Sequence, residues 1–431
     1  MTPLRLLNYY VHPQQFSGTI IEARLREVSV GEVCEVRRHW RYKEVLSRAQ
    51  VVGFRGDIAI LSLMGNAKGI SRESILVPTG SALTVRLNDS VLGSVLDSDG
   101  NCVARLSEPK IPSKPDQWCA LEAAPPSFGQ RAPIQRRLNT GITAIDALMT
   151  CGVGQRLGIF APAGAGKTTL VNMLIGHASA DVFVIGLIGE RGREVTEFVD
   201  SLKHLSHRSR CVVVYATSDA SSLERRNAAL LATTVAEYFR EHGSHVVLLQ
   251  DSLTRYARAL RDVALSAGEP PARRGYPASV FEALPRLLER PGVTMAGSIT
   301  AFYTILLESE DESDPIAEEI RSILDGHIYL SRKLAARNHY PAIDVLRSLS
   351  RTASQVCAVP QLRSAGSIRE KLGRIEEMQL MLDMGEYRPG ENTQNDQLLL
   401  QKDALFGWLC QSPDEYRDEA ISLDAMHALA Q

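Results

Sequence analysis

Residues 157–175 constrain the fold more tightly than any other part of the chain. An apolar run, Leu157-Gly158-Ile159-Phe160, leads through Ala161-Pro162-Ala163-Gly164-Ala165-Gly166-Lys167-Thr168-Thr169 into Leu170-Val171-Asn172-Met173-Leu174-Ile175. That order predicts a buried strand, a tight loop and then a helix. Small residues let successive backbone N–H groups converge on phosphate oxygens, and the helix N-terminus behind them adds a favourable dipole. Lys167 is placed to reach the β- and γ-phosphates, and the Thr168 hydroxyl to ligate Mg²⁺. Pro162, Ala163, Gly164, Ala165, Gly166, Lys167, Thr168 and Thr169 therefore form the expected nucleotide-binding segment, with a nucleoside triphosphate and Mg²⁺ as its ligands. Ala161 stands where the strict pattern has its first Gly, a small cost if that position needs no positive φ.

Hydrolysis also requires a base, a second metal partner and a charge stabiliser. The next apolar run, Val182 to Ile188, ends in Ile188-Gly189-Glu190-Arg191-Gly192-Arg193-Glu194. Ligands of parallel sheets bind outside the carboxyl ends of the strands, which directs Glu190 at the phosphates as general base. Arg191 reads as a contact to phosphate or to a neighbouring subunit. Glu194 reads as an acid opening the next helix, where the dipole favours it. Val246-Val247-Leu248-Leu249-Gln250-Asp251 is an apolar strand closing on an acid. Asp251 is expected to hold Mg²⁺ through water, and Gln250 is expected where the strand leaves the core.

The chain has 431 residues, enough for two or three domains. Its formal net charge of −2 argues against a protein that coats nucleic acid. The 7 Cys lie scattered without a metal-binding spacing, which fits reduced thiols. The amino-terminal stretch to Gln15 lacks the pattern of a secretory signal, and the longest apolar runs have strand length. The expectation is a cytoplasmic protein.

Residues 17 to about 80 read as short strands punctuated by Gly and Asp, such as 18–23, 49–54 and 58–63, predicting a small β-barrel domain over 1–80. Within them Arg37-Arg38-His39-Trp40-Arg41-Tyr42-Lys43 is basic with interleaved aromatics. Nucleic acid or anionic lipid would suit that composition, though a solvated hairpin tip fits it better. From 81 to about 135 the chain reads as irregular. Strands and helices then alternate, predicting an α/β domain over 81–351 with a mostly parallel sheet. Beyond 352 the strand signal stops. A helix over 367–384, ended by Gly385 and Pro389-Gly390, opens an α-helical domain over 352–431.

Several long motifs carry a resemblance. Ile188 to Glu194, Asp251-Ser-Leu-Thr-Arg-Tyr-Ala-Arg-Ala, and Tyr340-Pro-Ala-Ile-Asp344 with Ser348-Leu-Ser-Arg351 are similar to the rotary-ATPase catalytic family, over essentially the whole chain. Gly275 to Phe281, Leu284 to Arg290, Ile323 to Ile328 and Leu330-Ser-Arg332 resemble the branch that drives type III protein export. Within that branch, overall similarity, including 187–199 and 385–391, favours the injectisome enzymes.

The resemblance implies a P-loop, RecA-like core. It implies that Tyr340 stacks on adenine and that Arg351 is an arginine finger reaching a neighbouring subunit's site. It implies a homo-hexamer at the cytoplasmic base of a secretion apparatus, peripheral to the inner membrane. The implied partners are a central stalk protein, a peripheral stator, chaperone–effector complexes and, indirectly, export-gate membrane proteins. The 275–281 segment would face the central stalk or the exported chain. The barrel would serve oligomerisation and the helical domain would dock substrate and chaperone. A flagellar export ATPase is the alternative, and a catalytic subunit of an ion-pumping rotary ATPase a further one. An RNA-driven helicase would need an RNA-binding barrel, of which 37–43 is the sole hint, so no nucleic-acid partner is expected.

Overall fold

The computed structural model describes residues 9–308, 314–388, 390 and 392–431. Pro389 and Glu391, used above to end a helix and to carry a motif, lie outside the described residues, as do residues 1–8. The chain divides into two compact units: Met1–Pro126 with Val182–His242 and Gln250–Arg290, and Ser127–Asp181 with Gly243–Leu249 and Pro291–Gln431.

The first unit opens on six antiparallel strands, β1 (Gln15–Ser17), β2 (Ile20–Ala23), β3 (Glu32–Arg37), β4 (Val45–Arg55), β5 (Ile58–Met64) and β6 (Ile75–Ala82). Their order is β1-β2-β5-β4-β3-β6, and Val11, just ahead of β1, bridges Leu76 of β6 and closes the barrel. Alternate residues point inward, as the pleat requires. Ile21 and Ala23, Cys34 and Val36, Ala49 and Val51, and Ala59, Leu61 and Leu63 form one buried core with Leu76. Residues 38–44 make the β3–β4 tip, with Trp40 and Tyr42 exposed and the Arg41 guanidinium 4.9 Å from the Trp40 ring centre.

The expectation that 81–135 is irregular is corrected. This stretch contains β7 (Thr84–Leu87), β8 (Ser94–Leu96), β9 (Cys102–Arg105) and β10 (Gln117–Ala120). None exceeds 4 residues, too short for length to mark them, and of the four β7 alone alternates, with Val85 and Leu87 buried, while β9 is exposed throughout. β10 pairs antiparallel with β7 and β9 with β8. Then β12 (Val182–Glu190) runs parallel to β13 (Cys211–Thr217), which runs parallel to β8. Helices α3 (Gly192–Lys203), α4 (Ser222–Glu241), α5 (Leu253–Ser266) and α6 (Ala278–Leu288) complete the unit. A reciprocal cap starts α4: the Glu224 N–H donates to Ser221 Oγ and the Ser221 N–H to Glu224 Oε2, at 3.2 and 2.8 Å. Arg290, only 1 % exposed, holds the last turn after α6 by donating to Glu237, Thr234 Oγ1 and the Leu121 carbonyl.

In the second unit, α1 (Thr143–Leu148) precedes β11 (Arg156–Pro162) and α2 (Lys167–His177). Strand β14 (His245–Asp251) contributes residues 245–249 to this unit and its last two residues to the first. There follow β15 (Gly292–Val293), β16 (Ser298–Leu307), α7 (Pro315–Ile323), β17 (Gly326–Leu330), α8 (Arg332–Ala336) and β18 (Ile343–Ser350). β11 lies parallel to both β16 and β17, while β18 returns antiparallel to β17. β11 is apolar from Leu157 to Pro162 and buried over that length, the pattern of a strand covered on both faces. Four helices close the chain: α9 (Ala353–Val356), α10 (Val359–Asp383), α11 (Thr393–Leu409) and α12 (Glu419–Ala430). α10 starts well before the expected residue 367. Pro360 sits in its first turn, where a missing N–H costs nothing and the fixed φ suits a helix. Among the described residues no helix is long and apolar enough to cross a membrane.

Candidate nucleotide site

Sequence position 161 ends the question of the missing glycine. Ala161 lies inside β11, is buried, and is not among the positive-φ residues, so a side chain is tolerated. The left-handed positions are Gly164 (φ 80°) and Gly166 (φ 82°). The Ala165 N–H donates to the Pro162 carbonyl at 3.3 Å, tightening the loop. Lys167 is the first residue of α2, and its first turn carries no acidic side chain, so the helix N-terminus is chemically suited to an anion.

Two residues distant in sequence close on this loop. A Cβ added at Gly166 would lie 2.9 Å from Tyr340 Cε1, so the half-buried Tyr340 ring packs directly against the loop. Arg332, on α8, donates from Nε to the Ala163 carbonyl at 2.9 Å. The sequence reading named Arg332 only within a motif and gave it no role. Tyr340 is held in turn by its backbone carbonyl, which accepts from the Gln411 N–H at 2.7 Å. Beside it the Cys410 thiol and His339 Nδ1 are 3.0 Å apart. Burial pushes the thiol up and the imidazole down, which favours the neutral form of both.

In the first unit, β12 delivers Glu190 to its carboxyl end, only 6 % exposed. Its Oε2 pairs with Arg255 Nη1 of α5 at 2.9 Å, and the same nitrogen bonds the Gly189 carbonyl. Sequence reasoning missed Arg255 as the partner of Glu190, although it lies inside the quoted Asp251–Ala259 motif. Arg191 is the exposed N-cap of α3, 3.8 Å from Glu194. Asp251 ends β14 and is buried. Gln250 is corrected: it does not emerge from the core but is fully buried. Its Nε2 donates to the Ala229 carbonyl and Thr233 Oγ1 of α4, both at 2.9 Å. Tyr276 is also buried, with the Arg261 guanidinium 5.3 Å from its ring centre, and the exposed run ahead of it is 270–275.

Arg351 follows the end of β18 with its side chain exposed, and its N–H donates to the Asp325 carbonyl at 2.9 Å. Thr168 is exposed on the first turn of α2. The Thr168 hydroxyl and, in the first unit, the Asp251 carboxylate are each hard oxygen donors.

A strand, a glycine loop and a helix, in a chain with a barrel before them and helices after, define a P-loop nucleotide-binding protein. Three family models match: the ATP synthase alpha/beta family β-barrel domain over residues 14–80, its nucleotide-binding domain over 141–350, and the T3SS EscN ATPase C-terminal domain over 358–428. The SPI-1 type 3 secretion system ATPase of Salmonella typhi is 58% identical over 426 residues, 99% of this chain and 98% of that one. The assembled ATPase EscN of enteropathogenic E. coli matches with TM-score 0.89 and 39% identity, covering 98% of this chain and 100% of that one. EscN in complex with its central stalk EscO matches with TM-score 0.86, at the same identity and coverage. The chain belongs to the type III secretion system ATPase family, and it is an ATPase of that family.

Proposed function

We propose that this chain hydrolyses ATP to ADP and phosphate at the 162–169 loop, and that turnover releases chaperones from export substrates and unfolds them. The observation that carries the reading is the Gly164–Gly166 loop packed against Tyr340 and running straight into α2. Lys167 balances charge on the β- and γ-phosphates, and Tyr340 takes the adenine ring on its face. Glu190 accepts the proton of the attacking water, with Arg255 fixing its carboxylate. Arg191 meets phosphate or a neighbouring subunit. Arg351 stabilises charge on the transferred phosphoryl group of a neighbouring subunit's site. Thr168 and, through water, Asp251 would hold Mg²⁺, which supplies charge neutralisation at the phosphates.

One chain with both a P-loop and a finger forms a homomeric ring, a hexamer, with a site at every interface. The EscN complex with EscO supports a central stalk as partner. A peripheral stator, chaperone–effector complexes and, indirectly, export-gate proteins complete the set, and nucleic acid is not among them. The ring sits in the cytoplasm against the inner-membrane base of the apparatus. The divisions 1–80, 81–351 and 352–431 serve oligomerisation, hydrolysis and docking. The 58% identity to a secretion ATPase favours this reading over flagellar export.

Deletion of the gene, complemented by the wild type or by Glu190→Gln, tests the proposal. Effector secretion should return with the wild type alone, and flagellar assembly should be untouched throughout. Lost flagella with intact effector secretion would replace this reading by the flagellar one.

A further inference from the structure

Gln155, immediately ahead of β11, is fully buried and uses both ends of its amide. Its Oε1 accepts from the Gly152 N–H at 2.8 Å and from Thr352 Oγ1 at 2.6 Å. Its Nε2 donates to the Asp325 carbonyl and to Ser350 Oγ, each at 3.0 Å. Ser350 and Thr352 are the two neighbours of Arg351. The Asp325 carbonyl bonded by Gln155 also takes the Arg351 N–H. One buried amide therefore grips the chain before and after Arg351 and shares its backbone acceptor.

The surroundings reinforce that grip. The Asp325 carboxylate accepts from the Arg156 N–H, Nε and Nη2 at 3.1, 2.9 and 3.0 Å. Ser350 Oγ donates to the Thr150 carbonyl at 2.8 Å. A Cβ at Gly326 would meet the Leu349 carbonyl at 2.5 Å and Ser350 Cα at 3.1 Å, so only glycine lets β18 close on β17 at this point. Buried polar networks of this kind hold one geometry because each broken bond strands a partner.

We infer that Gln155, with Thr352, is a positioning residue for Arg351: it fixes the turn that presents the arginine, and touches no nucleotide. This inference rests on the finger reading of Arg351. A finger contributes about 10³–10⁵ in kcat, and a displacement of about 1 Å costs on the order of 100-fold. Loosening the turn should therefore cost turnover while leaving each subunit's own ATP binding in place.

Subunit mixing separates this role from a general weakening. Gln155→Leu should lower kcat by roughly 10–100-fold with KM for ATP within about twofold, and Thr352→Val should do so more mildly. Mixed with Lys167→Ala, each should recover turnover, because some interfaces then pair an intact P-loop with a well-held finger. Mixed with Arg351→Ala, neither should recover, since no subunit supplies a working finger. The reverse pattern would place the damage in the P-loop, and recovery in neither mixture would mean a merely structural role; both overturn the inference. If Gln155→Leu does not fold, Thr352→Val decides by the same two mixtures. Arg351→Ala mixed with Lys167→Ala is the control. Its failure to recover removes the finger reading and the inference with it, whereas its success with the wrong pattern for Gln155 removes the inference alone.

Discussion

Glu190 at the end of β12 is ion-paired with Arg255 of α5 at 2.9 Å. The carboxylate side chain is 8 % exposed and the guanidinium 25 %, so solvent screens the pair only in part. Removing one partner of such a pair leaves the other poorly solvated. Arg255→Ala should lower unfolding stability by about 1–3 kcal/mol. Adding Glu190→Gln should cost less than the sum of the single changes. Denaturant unfolding of both single variants and the double gives the coupling; strictly additive losses would show that the two side chains do not support each other. Glu190→Gln alone should keep MgATP binding and lose turnover, since a base acts in the chemical step.

Tyr340 and Gly166 give the second expectation. Gly166→Ala puts a Cβ 2.9 Å from the ring at φ 82°, whereas Gly164→Ala meets nothing within 4 Å at φ 80°. The two substitutions share the backbone penalty, about 1 kcal/mol, and differ in the clash. Gly166→Ala should therefore weaken ATP binding at least tenfold more than Gly164→Ala. Tyr340→Ala should cost about 1–3 kcal/mol of nucleotide affinity and Tyr340→Phe little, because stacking uses the ring face. Calorimetric titration of the four variants checks this, and equal effects at both glycines would place Tyr340 away from the loop.

The loop itself was legible because everything that makes it lies within about a dozen consecutive residues. Its supports were not. Arg332, Gln155 and Gln411 act through bonds to residues far along the chain, and nothing local distinguishes them from other polar residues of a helix or turn. Strand β18 carries little local strand signal for a related reason. It alternates irregularly, with Leu346 and Arg347 exposed side by side and Leu349 exposed between buried Ser348 and Ser350, since only part of it is covered. Gln250 misled in the opposite direction: a polar residue at a strand end resembles the edge of a core until the α4 carbonyl that accepts from its Nε2 is seen.

Acid stability should carry two opposed contributions. Burial, against the hydrogen bonds from Thr140, raises the Asp146 carboxyl to about 6. The folded protein thus keeps a proton that the unfolded chain releases, and this stabilisation is lost as pH rises from about 4 to 6. Burial holds the His245 imidazole down to about 4. The folded protein there resists a proton that the unfolded chain takes up, so stability is lost as pH falls from about 6.5 to 4. Each is worth about 3 kcal/mol over its window, and they largely cancel. Asp146→Asn should make the melting temperature fall more steeply on acidification than in the wild type, and His245→Asn should make it fall less. Thermal unfolding from pH 4 to 7 checks both; parallel curves for all three proteins would refute the burial argument.

Assembly gives the last expectation. Arg351 is exposed on a turn whose backbone is tied down by Asp325, the arrangement needed to present an arginine to a second copy. If it completes the neighbour's site, a lone subunit lacks a contribution of about 10³–10⁵ in kcat. Specific activity should then rise steeply with protein concentration and level off where rings saturate. Arg351→Ala should assemble over the same concentration range by sedimentation, because it removes a side chain needed for chemistry, and yet stay inactive throughout. ATP binding by that variant should remain, since Lys167 and Tyr340 are intact. Activity proportional to concentration from the most dilute sample upward would mean that each subunit works alone. Arg351 would then act within its own chain or not at all.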